Sequence, residues 1–389
     1  MKIGQVTFCN YNYGSVLQCY ATQKVLSYLG MDCVFFRRRD GKAGQIVGKI
    51  LYLLDGAFMC LRYPRYISTF FKLWKSSRRA ALKTLSKENL KAIEDFVKIE
   101  INSIDRSYRN MLLEAKKDEY VAFISGSDQI WNGDWFIINK MHFLRFAPKH
   151  KRVAWAPSFG TSSVAKYNRS KYKKFISEYA ALSIRESNGI AIIKELTGCE
   201  AEVVLDPVLL LTSSQWKKEY STKDIDVLDP NYILMYFLDK PSEIAVNSIK
   251  KIREKTGFKI VAFGHIYEEY SVMDSVRYVG GSPWNFLSMI DGASYVCTDS
   301  FHALVFSLVF HSQIFVFKRQ YAHNSDQSSR IESILNMCEM NERFINNMDE
   351  LKLNESIIDF KHLDQKLDRE RERSISYLTN AIKLCVSSN

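Results

Sequence analysis

Short apolar runs alternate along the chain with amphipathic stretches of helical length. Ile3 to Phe8 is an apolar run of strand length. The polar turn Cys9-Asn10-Tyr11-Asn12-Tyr13-Gly14-Ser15 follows, and Val16 to Leu29 then carries apolar residues at helical spacing. Gly30 closes that helix as a C-cap, and Cys33-Val34-Phe35-Phe36 is the next strand. A strand–helix–strand opening predicts a parallel sheet with crossover helices. Strands resume at Tyr120 to Ile124, Val153 to Pro157 and Ala181 to Glu186, with helices at Lys171 to Ala180 and Asn188 to Leu196. Leu210 to Asn231 reads as an interdomain region with polar turns. A second series follows: strand Tyr232 to Leu238, helix Ile244 to Thr256, strand Lys259 to Phe263, a short helix Pro283 to Ile290, and strands near Ala293 and Ile314. Helix Arg330 to Asn336 comes next, and a charged amphipathic helix from Asp364 closes the chain. The pattern predicts an α/β fold of two Rossmann-like domains facing a cleft, residues 1–210 and 211–389.

Between about Gly41 and Lys91 the alternation breaks. Ile50-Leu51-Tyr52-Leu53-Leu54, Phe58 to Leu61 and Phe70-Phe71-Lys72-Leu73-Trp74-Lys75 mix apolar and aromatic residues with cations. The segment reads as a helical lid whose apolar face packs on the first domain, or as an interfacial segment near anionic lipid. Its most apolar part, Ile46 to Leu61, is interrupted by Lys49 and Asp55 and is expected to be too short to span a bilayer. Arg37-Arg38-Arg39, Lys42, Lys49, Arg62 and Arg65 lie in or beside it. They contribute to a formal net charge of +11, which points to an anionic partner. No paired-cysteine zinc spacing or aromatic RNA-binding signature accompanies that charge, so nucleic acid is not the expected partner. The 8 cysteines are scattered without a CxxC pair and no secretory leader is visible, which reads as reduced, buried thiols in a cytoplasmic protein. No acid/histidine spacing calls for a metal.

The densest chemistry lies at Thr298-Asp299-Ser300-Phe301-His302-Ala303. An apolar strand ends there and a helix begins, with Asp299 or Ser300 able to cap it. Ligands bind at the carboxyl ends of strands in open α/β sheets, and helix N-termini favour anions. His302 is therefore a candidate acid/base beside an anion site; the plain alternative is a structural histidine. Arg185, leaving a strand, is a candidate clamp for carboxylate or phosphate, or else a structural partner of Glu186 or Asp206. Asn12, Gly14 and Ser15 occupy the first strand-to-helix turn. Ser127, Asp128 and Asn132 sit in the polar run Ser125 to Asn132, where they could read sugar hydroxyls. Trp131 in that run either stacks on a sugar or packs in the core.

Six segments, in order and spread over roughly Lys2 to Leu335, together resemble the polysaccharide pyruvyl transferase family: Asn12 to Gln18, Ser125 to Asn132, Ala156 to Gly160, Ser183 to Glu186, Val204 to Pro207 and Thr298 to Ala303. The resemblance implies a GT-B-like fold with the acceptor on the N-terminal side and the donor on the C-terminal side. It implies transfer of the enolpyruvyl unit of phosphoenolpyruvate to two hydroxyls of a sugar, without a cofactor. The acceptor would be a surface polysaccharide or its lipid-linked oligosaccharide precursor. Separately, the N-terminus without a leader pattern and the basic apolar insertion lead us to expect a cytoplasmic protein, peripheral at the inner face of the membrane if that insertion meets lipid. In the terms of the resemblance Ser300, Phe301, His302, Arg185 and Arg330 are expected at the donor, and Asn12, Gly14, Ser15, Ser127, Asp128 and Asn132 at the acceptor. Many family members carry an arginine two residues before the histidine where Ser300 stands here, leaving Lys318, Arg319 or Arg330 to supply the charge. A GT-B glycosyltransferase using a nucleotide sugar, or a non-catalytic glycan- or lipid-binding protein of the same fold, would share most of these features.

Overall fold

Two parallel sheets carry the two halves of the chain in the computed structural model, which describes residues 1–68, 84–135, 138–223, 228–320, 327–353 and 357–387. The first has the order β3-β2-β1-β4-β5, with β1 Lys2–Val6, β2 Asp32–Arg38, β3 Ser103–Arg106, β4 Tyr120–Ser125 and β5 Arg152–Ala154. A short parallel pair, β6 Ser183–Ile184 and β7 Glu202–Val203, adjoins β5 through a bridge between Val153 and Ala181. The second sheet has the order β10-β9-β8-β11-β12-β13, with β8 Tyr232–Tyr236, β9 Lys259–Phe263, β10 Val276–Val279, β11 Tyr295–Thr298, β12 Gln313–Phe317 and β13 Phe344–Ile345. Strands covered on both faces read as continuous apolar runs; all of β8 is buried. Gly4 in β1 leaves room for the Phe123 ring of β4, which would lie 2.3 Å from a Cβ at that position.

Helix α1 (Tyr13–Tyr28) begins earlier than the apolar spacing predicts. Asn12 is extended and its side chain accepts from the Ser15 N–H at 3.2 Å, so Tyr13, Gly14 and Ser15 form a capped first turn instead of a loop. Within the expected interdomain region one stretch is helical. Thr212 and Gln215 form a capping box, and the helix they start, Ser213–Tyr220, buries Trp216, whose Nε1 donates to the Val208 carbonyl at 3.1 Å.

Helix α2 (Lys42–Arg62) corrects two expectations. The side packed on the first domain is not the apolar one. Asp55 pairs with Lys171 at 3.1 Å and Met59 packs with Tyr167, whereas Ile46, Ile50, Leu54, Phe58 and Leu61 face solvent. Gly56, Met59 and one acid meet that surface, and the leucines, isoleucines and Phe58 are left outside. Nor is the helix too short: Gly44–Arg62 is long and apolar enough to cross a membrane by length and composition. Phe70 to Lys75 and the cations from Lys72 to Lys83 lie outside the described residues.

Helix α3 (Phe301–Phe310) is buried throughout and runs behind β11. After α4 (Ser329–Cys338), the closing helix α5 (Phe360–Ser387) packs on the first sheet. There the Tyr377 hydroxyl donates to the Ala154 carbonyl at 2.8 Å, and the Leu205 N–H donates to Ser374 at 3.0 Å.

Candidate active site

Strand order reverses between β1 and β4 in the first sheet and between β8 and β11 in the second. Ligands in open α/β sheets bind outside the carboxyl ends of strands at such points. Helix α1 follows β1 and α3 follows β11, so the two switch points bring two helix N-termini together across the cleft. They meet closely: a Cβ on Gly14 would lie 2.2 Å from Cγ of His302. Glycine is needed here for approach of backbone to imidazole. Ser300 caps α3 by accepting from the Ala303 N–H at 3.4 Å. Asp299 instead accepts from the Leu238 and Asp239 N–H groups at 2.7 and 3.0 Å, tying the end of β8 to that of β11. Burial pushes its carboxyl up to about 6, against the pull of Arg319 and those two amides.

Arg185 leaves β6 behind this junction. Its Nη1 bonds Asp206 Oδ2 at 2.7 Å, its Nη2 lies 3.7 Å from Asp128 Oδ1, and its guanidinium stacks 4.2 Å above the Phe301 ring. Asp206 also accepts from the Ser127 hydroxyl at 2.6 Å and the Val208 N–H at 3.1 Å, and stands 4.0 Å from His302 Nε2. Asp128 accepts from the Ser15 hydroxyl at 2.6 Å. Burial alone would raise Asp128, but His302 in its protonated form and Arg185 hold it below the usual carboxylate range. Burial lowers His302, and Arg185 and Arg330 add to the effect while Asp206 and Asp128 oppose it. Among the described residues, Arg185 Nε and Nη2 and His302 Nε2 are buried without a hydrogen-bond partner. Such groups are rare in folded interiors.

Asn12, Ser15, Asp128, Ser300, Phe301, His302, Arg319 and Arg330 share the lining of one cavity of about 160 Å³ between the two sheets.

A family model for polysaccharide pyruvyl transferase matches residues 12–320. The chain belongs to the polysaccharide pyruvyl transferase family. No curated protein matches it. Similar backbones include the S. aureus MnaA–UDP co-structure, at 10% identity and TM-score 0.51, covering 99% of this chain and 97% of that one. Another is Arabidopsis thaliana UGT89C1 complexed with UDP-L-rhamnose, at 9% identity and TM-score 0.51, covering 99% of each chain. At such identity the likeness is one of fold: GT-B-like, with two Rossmann-like domains.

In this family member Asn12, Ser15 and Asp128, expected at the acceptor, and Ser300, Phe301, His302 and Arg330, expected at the donor, line one cavity, whereas Gly14 and Arg185 stand beside it without lining it. Ser127 stands behind it, fully buried on Asp206. Asn132 does not line it; its side chain accepts from the Asp134 N–H at 3.0 Å and steadies the turn. Trp131 is stacked on Phe143 in the core. Arg185 takes Asp206 as its partner, while Glu186 turns to the Phe159 and Gly160 N–H groups. Arg319 and Arg330 stand at the cavity, and Lys318 is exposed outside its lining. Gln129 and Asp206 were not expected to organise the site. With its amide oxygen toward α4, Gln129 accepts from Arg330 Nη2 at 2.8 Å and donates to Gln327. Its only sequence signal was its place in the polar run after β4. Among the described residues no cluster of His, Cys, Asp and Glu could hold a metal ion.

Proposed function

We propose that the protein transfers pyruvate from phosphoenolpyruvate to two hydroxyls of one sugar, in a surface polysaccharide or its lipid-linked precursor, forming a cyclic ketal. The observation that carries this reading is the set of buried nitrogens of His302 and Arg185 that make no hydrogen bond, at the α3 N-terminus beside Arg319 and Arg330. Cations and helix amides gathered at one point favour an anion carrying carboxylate and phosphate. The cavity falls below the roughly 300–1,000 Å³ of ordinary ligand pockets, which suits a small anion better than a nucleotide sugar.

The chemistry follows from the same groups. The first hydroxyl adds to the substituted carbon of the enol as a proton reaches its methylene carbon, giving a methyl group. His302, as imidazolium, is the proton donor. Burial lowers its pKa, and an arriving carboxylate and phosphate would raise it and favour the protonated ring. Asp128, kept ionised and accepting from Ser15, faces the acceptor. The second hydroxyl then displaces phosphate and closes the ketal, while Arg185 and Arg330 stabilise the departing charge.

The test is incubation of the purified protein with phosphoenolpyruvate and lipid-linked or synthetic glycans, following phosphate release and the mass gain of a pyruvate ketal. Loss of both signals in His302→Ala and in Arg185→Ala supports the assignment. Full activity in both variants contradicts the site, and turnover of a nucleotide sugar without phosphoenolpyruvate contradicts the reaction.

A further inference from the structure

The exposed face of α2 is unusual for a surface helix. Wound at 3.6 residues per turn, the helix turns Gly48, Asp55, Gly56 and Met59 toward the first domain. The opposite half presents Ile46, Ile50, Leu54, Phe58 and Leu61, with Leu61 81% and Leu54 61% exposed. Exposed apolar surface on this scale marks an interaction site. The flanks are basic: Lys42, Lys49, Arg62 and Arg65 are exposed along or just after the helix. The single acid within α2, Asp55, is turned away and paired with Lys171.

We infer that α2 lies in the plane of an anionic membrane, with its aliphatic face in the headgroup–acyl boundary and its cations at the phosphates. An apolar stripe bordered by lysine and arginine is the makeup of an interfacial helix. A spanning helix would have to leave the contacts of Asp55 and Met59 with Lys171 and Tyr167, because those contacts hold one side of α2 to the α/β domain. A second copy is the poorer fit. Joining two such faces would bring cations together with no acid to answer them, whereas anionic lipid complements both the stripe and its borders. This inference goes beyond the transfer reaction and does not depend on it: it stands on α2 alone.

The test is co-sedimentation of the full chain with vesicles of phosphatidylcholine alone and of phosphatidylcholine mixed with phosphatidylglycerol, at low and high salt. The structure calls for binding to the mixed vesicles that weakens with salt. Lys42→Gln and Lys49→Gln should each weaken it about fivefold, and Leu54→Glu with Phe58→Glu by about a hundredfold. All four positions are exposed, Leu54 by 61% and Phe58 by 59%, so the folded state is retained; circular dichroism checks this. Separately, Phe58→Trp should shift its emission to the blue on adding mixed vesicles. The inference is overturned if the wild type stays in the supernatant with both vesicles, or if the charge and apolar variants bind like wild type. It is equally overturned if sedimentation velocity without lipid shows a dimer that Leu54→Glu dissolves while vesicles are ignored. Resistance of bound protein to alkaline extraction would assign a spanning helix instead.

Discussion

Gly14→Ala puts the meeting of the two helix starts to a direct test. The added methyl would lie 2.2 Å from His302 Cγ, 2.3 Å from Nδ1 and 2.4 Å from Cβ, where ordinary contact begins near 3.4 Å. Turning the imidazole about its side-chain bonds cannot help, because Cβ is fixed by the backbone of α3. The two helices must part by about 1 Å, the difference between 3.4 and 2.4 Å. Overfilling a packed site in this way costs about 1–3 kcal/mol. The cost should appear as a lower urea midpoint and as weaker binding of phosphoenolpyruvate, since the cavity lies at this junction. In a His302→Gly background the obstructing atoms are gone, and the same change should cost about nothing or stabilise slightly through helix propensity. Equal costs in both backgrounds, or none in the wild type, would mean that Gly14 and His302 do not face each other as described.

Further outcomes follow from the charged shell. Asp206→Ala leaves buried Arg185 without its 2.7 Å partner and should lower unfolding stability by about 3–5 kcal/mol in urea titrations. Arg330→Ala should weaken phosphoenolpyruvate binding by about tenfold or more through lost charge-assisted bonds, whereas Lys318→Ala should leave it within about twofold; equal effects would misplace the donor. His265 is buried against Thr84, and burial, with Arg319 nearby, depresses its pKa to about 4. Between pH 6.5 and 4 the unfolded chain binds a proton at this group that the folded one refuses, so stability is lost as pH falls through that window, by about 3 kcal/mol from this residue. Denaturant midpoints measured across the window should fall less steeply in His265→Asn.

The strand–helix–strand opening, the two Rossmann-like halves and the short turn before His302 could be read from apolar spacing because each is set by neighbours within a few residues. The start of α1 could not, since Tyr13, Gly14 and Ser15 look like a loop until Asn12 is seen to cap them. Sequence placed Arg185 beside two acids but could not choose between them. The choice of Asp206 arises because Glu186 is taken by the turn after β5. Replacement of the family's arginine by Ser300 left the cation open, and Arg319 and Arg330 reach the cavity from a strand end and a helix start that only the second sheet brings together. For α2, periodicity reveals an apolar stripe but not which side meets the protein. That depends on the fit of Gly56 and Met59 against the first domain.

Calorimetric titration of phosphoenolpyruvate into the protein, in two buffers of different ionisation enthalpy, tests the central claim most directly. Binding with net uptake of a proton near pH 7, lost in His302→Ala, is the expected result, since the arriving anion should protonate the desolvated imidazole. No heat from phosphoenolpyruvate alongside saturable binding of a nucleotide sugar, or the same proton uptake without His302, would contradict it.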